Sequence, residues 1–153
     1  MTRSNPQFFS ALASMISTKA GAQSTGLNIP ADKAVSIDLN GNTLFWTTSN
    51  QGDTMIQNNG SLSLVGQGSV KYVYEGEPDS NYGKGNYTIN NGGTLTVDGP
   101  TVTIEVKDMA QGTKFSHALY PVNNSGTFVL KSGNVVNHYN VAVRQWVGSE
   151  TKS

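Results

Sequence analysis

Two periodicities divide this chain. Between Asn5 and about Lys19, Phe8, Phe9, Leu12, Met15 and Ile16 recur at three- and four-residue spacings; Asn5 can cap the segment, Pro6 suits the first helical position and Gly21 ends it. That pattern predicts one amphipathic helix. Residues 20–26, "AGAQSTG", are small and polar and read as a linker. From Leu27 onward the period is two. Val35, Ile37 and Leu39 alternate with Ser36 and Asp38, Leu62 and Leu64 with Ser61 and Ser63, and Leu95 and Val97 with Thr94 and Thr96. Val102, Ile104 and Val106 continue the series, and turns rich in Gly, Asn and Asp separate the pieces.

The strands repeat. "TINNGGTLTV" at 88–97 has near copies in "MIQNNGSLSL" at 55–64 and "PVNNSGTFVL" at 121–130. Ile56, Ile89 and Val122 lie 33 residues apart, and so do Leu62, Leu95 and Phe128. Leu44 to Leu62 spans 18 residues and Val122 to Val141 spans 19, so the 33-residue intervals read as a shorter turn of chain carrying insertions at 75–86 and 107–118. Equal spacing predicts equal environments. Ile56, Ile89 and Val122 should form one inner column and Leu62, Leu95 and Phe128 another, while Asn58, Asn91 and Asn124 share a register in which amides can bond from layer to layer. Gly60, Gly93 and Gly126 repeat at a corner, where a positive φ is expected.

The opening stretch "LNIPADKAVSIDLNGNTLFW" at 27–46, followed by the "NNGGTLTV" repeats, resembles right-handed parallel β-helix proteins of the pectate-lyase-like group, which includes polysaccharide lyases, adhesins and bacteriophage tailspikes and fibres. The resemblance implies an all-β fold, a short single-stranded right-handed β-solenoid of about four to five rungs over 27–153, preceded by an N-terminal helix and linker over 1–26. Such a stack would be roughly 20–25 Å tall with open strand edges at its ends.

Charge narrows the partners. Ten Lys and Arg balance ten Asp and Glu, so the basic footprint of a nucleic-acid binder is missing. No cysteine is present, which excludes a disulfide frame and a thiolate metal site. Residues 4–17 are too short and too interrupted for a membrane anchor or a signal peptide. The sequons at Asn59, Asn86 and Asn123 then read as turn residues.

Chemistry is sparse. Asp38, Asp98 and Glu105 lie on or beside strands, and Glu75, Glu77, Asp79 and Asp108 fall in or beside the insertions. No Asp-Asp pair or Gly-His-Gly matches the polygalacturonase pattern of the resembled family. His117 and His138 have no triad partners nearby, and "EGEPDSN" lacks the order of a calcium loop. The expectation is therefore no enzyme, no cofactor and no metal. Tyr72, Tyr74, Tyr82 and Tyr87 surround the first insertion and are candidates for surface recognition, while Phe8, Phe9, Leu12, Met15 and Ile16 are candidates for an assembly anchor.

With the resemblance, these features give the expectation of a structural bacteriophage virion protein, a capsid decoration, head-fibre or tail-fibre component made in the host cytoplasm. It would be a homo-oligomer, for preference a trimer, that meets a capsid protein and a host surface glycan, with no nucleic-acid or membrane partner. The alternative is a carbohydrate-binding or polysaccharide-cleaving β-helix module.

Overall fold

A computed structural model describes residues 8–10, 16–17, 26–76, 84–111 and 118–146, with the side chains of the first two segments left aside. Thirteen strands follow one another: β1 (Phe8–Ser10), β2 (Ile16–Ser17), β3 (Leu27–Ile29), β4 (Ala34–Asp38), β5 (Thr43–Thr48), β6 (Thr54–Asn58) and β7 (Ser61–Val65) come first. Then come β8 (Ser69–Tyr74), β9 (Asn86–Asn91), β10 (Thr94–Val106), β11 (Leu119–Asn124), β12 (Thr127–Asn137) and β13 (Val143–Gln145). Every pairing between them is parallel.

The chain visits three ladders in turn. One ladder stacks β1, β4, β7 and the first half of β10; a second stacks β2, β5, β8 and the second half of β10. β10 is continuous through both, with a register irregularity around Asp98–Thr101, so the two ladders join into one eight-stranded sheet on which β12 lies as the outermost strand. The third ladder, β3-β6-β9-β11-β13, is a separate five-stranded sheet.

These findings correct the expected class in two respects. No helix occurs among the described residues, and Phe8–Ser10 and Ile16–Ser17 are strands that extend the large sheet beside β4 and β5. A free amphipathic segment leaves its backbone groups to itself, whereas an open parallel edge offers them partners, and here the edge prevails over the three- and four-residue periodicity. Nor do the sheets define a right-handed single-stranded β-helix of uniform rungs. The large sheet curls as half a barrel, and the five-stranded sheet, separate from it in strand pairing, shares one apolar core with it.

The 33-residue register itself is present. Ile56 pairs with Ile89 and Ile89 with Val122, all three fully buried. Leu95 pairs with Leu62 on one side and Phe128 on the other; the first two are fully buried and Phe128, in the outermost strand, is half-buried. Trp46, Tyr72 and Tyr74 fill the space behind the second ladder, with Trp46 and Tyr72 rings 5.1 Å apart.

The amide column runs through four strands of the five-stranded sheet, from β6 to β13. Asn58 Nδ2 donates to Asn91 Oδ1 (2.6 Å), Asn91 Nδ2 to Asn124 Oδ1 (2.5 Å), and Asn124 Nδ2 to Gln145 Oε1 (2.6 Å). It starts at Asn58 because Ile29 occupies the position beneath, which leaves Asn58 Oδ1 buried without a partner. One residue away, on the outer face, Asn90 Nδ2 donates to Gln57 Oε1 and Asn123 Nδ2 to Asn90 Oδ1, both at 2.8 Å. Trp146 Nε1 closes that second column on Asn123 Oδ1.

The corner glycines are needed for a different reason from the one expected. Gly60, Gly93 and Gly126 do not take positive φ; a Cβ at Gly93 would fall onto the carbonyl oxygen of Gly60, and one at Gly126 onto that of Gly93. Close backbone approach between layers excludes side chains there. Positive φ belongs instead to Gly66, Gly99 and Gly133, at 76°, 122° and 91°, where the chain crosses between the two halves of the large sheet.

Replacing Asn91 by Ala leaves the Oδ1 of Asn124 without its donor in the interior and takes from Asn58 Nδ2 one of its two acceptors, the Thr94 carbonyl remaining, and should destabilise the fold by about 1–3 kcal/mol. The outer Gln57→Ala should cost less than about 1 kcal/mol, because water replaces its partners. Urea unfolding of the two variants measures the difference, and equal losses would contradict the role given to the inner column.

Candidate functional site

The strand that carries the inner amides also sets out a strip on the opposite, solvent-facing side. Tyr87 pairs with Tyr120 across β9 and β11, and their rings stack 6.1 Å apart at an interplanar angle of 11°. β13 brings Arg144 in beside them, its guanidinium carbon 5.3 Å from the Tyr120 ring centre and 4.0 Å from that of Trp146. The strip reads Tyr87, Tyr120, Arg144, Trp146, flanked by the outer column of Gln57, Asn90 and Asn123. Partial burial raises the Tyr87 phenol above its ordinary value, and the Arg144 charge opposes the rise.

Most of the ring faces in this strip are covered by one another or by the guanidinium. The arrangement is first a cohesive π and cation–π stack. Its freest member is Trp146, 51% exposed at the end of the strip, whose indole N–H is already engaged by Asn123.

The residues singled out from the sequence are distributed differently. Tyr72 and Tyr74, expected on a surface, are fully buried core residues, because the period-two alternation of β8 puts both on its inner face with Val70. The Tyr72 hydroxyl accepts a hydrogen bond from Asn86 Nδ2 at 2.6 Å. Tyr87 is on the outer face and partly buried, and Tyr82 lies outside the described residues. Of the anchor candidates, Phe8 and Phe9 are in β1 and Ile16 is in β2, while Leu12 and Met15 lie outside the described residues. Tyr120, Arg144 and Trp146 escaped sequence reasoning, although the 33-residue offset from Tyr87 to Tyr120 was the signal that could have found the first.

Most of the described carboxylates are engaged in construction. Asp38 Oδ1 accepts from the Asn40 amide in a turn, Asp98 Oδ1 accepts from Ser132 Oγ at 2.8 Å, and Val65 separates the two in the register. Glu105 pairs with Lys71 at 2.8 Å and Glu75 with Lys107 at 3.7 Å. Asp53 is buried and takes the Thr48 hydroxyl on one oxygen. A cleft of about 480 Å³ beside Glu75, Lys107 and Asp108 brings only the already paired Glu75 near a second acid. Among the described residues no three His, Asp or Glu side chains gather as a metal site would require, and no helix is long and apolar enough to cross a membrane. The sequons also have a structural use. Asn86 and Asn123 are buried, and their amides bond within the fold.

At the outermost layer the structure is open. β12 pairs with β10 alone among the described strands, and β13 with β11 alone. Among the described residues, four of the five exposed large apolar side chains, Val129, Leu130, Val141 and Trp146, belong to this layer or its connection. Leu130 is 47% exposed although Val97 and Leu64, beneath it in the same column, are fully buried. No family model, no curated protein and no solved structure matches this chain.

Burial gives the core phenol a readable pH signature. Desolvation lifts Tyr72 far above the ordinary tyrosine value, against the weaker opposing effect of the Asn86 hydrogen bond. A raised folded-state value means that the neutral form is favoured in the fold, so this contribution is complete below about pH 10 and is lost as pH climbs beyond it. Stability should be level through neutrality and fall above about pH 10, more shallowly in Tyr72→Phe than in the parent. Thermal melts of both proteins between pH 7 and 11 check this, and parallel curves would contradict it.

Proposed function

We propose that this chain is a non-enzymatic structural component of a larger assembly. The setting implied by the resemblance at 27–46 and in the "NNGGTLTV" repeats is a bacteriophage virion, as a capsid decoration, head-fibre or tail-fibre protein. The observation that carries the structural reading is the terminal layer. An 11-residue strand that pairs on one edge alone among the described strands, with a cluster of exposed apolar side chains, is a liability in an isolated protein and an asset in an assembled one.

The rest of the molecule accords with that role. Its polar chemistry goes into two continuous amide columns, and its described acids serve turns and ion pairs. The outer strip of Tyr87, Tyr120, Arg144 and Trp146 favours a second reading, a glycan-binding module, in which Trp146 offers a free aromatic face and Arg144 a charge.

Two measurements separate these readings. Mass spectrometry of density-gradient-purified particles from the source culture should find the chain at a fixed ratio to a shell protein, and its absence would overturn the virion assignment. Incubation with acidic and neutral polysaccharides should release no reducing ends or unsaturated products. Trp46 is buried and Trp146 half-exposed, so a glycan that changes the emission of the parent but not of Trp146→Phe would favour the second reading.

A further inference from the structure

Each circuit of the chain visits the third, first and second ladders in that order: β3, β4 and β5, then β6, β7 and β8, then β9 and the two halves of β10, then β11 and the two halves of β12. The described strands begin and end part-way through a circuit. At the lower end β1 and β2 lie outside β4 and β5 on the first and second ladders, with no described strand outside β3 on the third. At the upper end β13 lies outside β11 on the third ladder, with no described strand outside β12 on the other two. One end is raised where the other is recessed.

Three positions make a layer, and this governs how two copies can meet. About a two-fold axis, two upper ends bring two described strands to the three positions and two lower ends bring four, whereas an upper end on a lower end brings three. Head-to-tail contact also keeps strand pairs parallel, as every described pair is. Residue types match across it. Val143 ends the column of Leu27, Ile56, Ile89 and Val122, so Leu27 of the next copy follows it. Leu130 ends the column that the register starts at Phe9 and carries through Ile37, Leu64 and Val97, so the next copy's Phe9 takes the position after it. Gln145 meets Ile29, which already has the amide of Asn58 on its other side. Exposure follows the same division. Val129, Leu130, Val141 and Trp146 are at the upper end, and Leu27, 36% exposed and the fifth exposed large apolar residue among those described, is at the lower.

We propose that the two ends are the two halves of one interface and that copies of this chain stack head to tail, β13 of one copy pairing with β3 of the next while β1 and β2 of the next pair with β12. This rests on the reading of the chain as an assembly component and makes a second copy its partner. Main-chain hydrogen bonds and the joined apolar columns supply the affinity. The contact repeats without closing, so it builds a rod. The first ladder holds five strands per copy, β1, β4, β7, β10 and β12, and at roughly 4.8 Å per strand each copy adds about 24 Å.

Sedimentation velocity of the whole protein at rising concentration should show species at successive multiples of 16.3 kDa, and electron micrographs should show rods whose lengths differ in steps of about 24 Å. Leu27→Asp blocks the lower end and Leu130→Asp the upper, each at a position open to water in the single copy and buried in the stack. Each variant alone should keep the circular dichroism of the parent and sediment as a monomer. Mixed in equal amounts they retain one intact end each, and should form a dimer and nothing larger. Should Leu130→Asp lose its circular dichroism, Val129→Asp, 39% exposed in the same strand, takes its place.

A parent that stays monomeric at every concentration would overturn the proposal, and that is the result expected if residues 1–7 or 147–153 of the same copy take the recessed positions. Association that stops at a dimer, folded variants that associate as the parent does, or a mixture that stays monomeric would each overturn it too. If the chain is found in purified particles while the parent alone is a monomer, the assembly role stands and this interface is wrong. If rods form and the particles lack the chain, the interface stands and the virion assignment fails.

Discussion

Like side chains must meet like across the roughly 4.8 Å that separates neighbouring parallel strands, and the rest of the structure depends on this condition. An apolar residue placed over an apolar one loses water on both sides. A buried amide placed over an amide finds a donor and an acceptor at the right separation, which is what makes Asn58, Asn91 and Asn124 tolerable in the interior at all. An insertion of one residue within a repeat would set Ile89 against Gln57 and Asn91 against Asn59, so the 33-residue offset is held by every column at once. The two amide columns also run in opposite directions. The inner one donates from Asn58 towards Gln145, and the outer one donates from Trp146 back towards Gln57, so their dipoles oppose each other side by side.

The same condition decides how much was legible beforehand. Period-two alternation and the 33-residue copies placed the strands, the Ile56–Ile89–Val122 column and the amide register, because those depend only on which residue types can stack. The N-terminal segment was misread because Phe8, Phe9, Leu12, Met15 and Ile16 satisfy a helical spacing, while the backbone partners that override it come from β4 and β5, far along the chain. The corner glycines were located correctly and explained wrongly. Their constraint is the carbonyl of the layer beneath, which no single repeat contains. Tyr72 and Tyr74 were placed outside although alternation with Lys71 and Val73 already set them on the face of Val70. Arg144 and Trp146 were unreadable, since their neighbours are reached only through the pairing of β13 with β11.

Repetition by itself accounts for many residues that would elsewhere suggest a binding site. A column of asparagines could be mistaken for a ligand cage, and a row of tyrosines for a sugar platform. Here each amide in the inner column is spent on the next, and the tyrosines on each other and on Arg144. What repetition does not explain is where it stops. At β12 and β13 the apolar and amide columns reach a layer that pairs on one side alone among the described strands.

The inner amide column has a consequence for how the molecule grows and shrinks over evolutionary time. Each asparagine looks only to the layer above and the layer below, so the column has no fixed length. A tandem duplication of one 33-residue unit, from Asn58 to Asn90, would bring its own asparagine, its own apolar pair and its own corner glycine, and would add a tier without disturbing any existing neighbour. Deletion of one unit would be equally silent inside the stack. Chains of this design can thus change height by unequal recombination while the two ends, which face different surroundings, evolve separately from the middle.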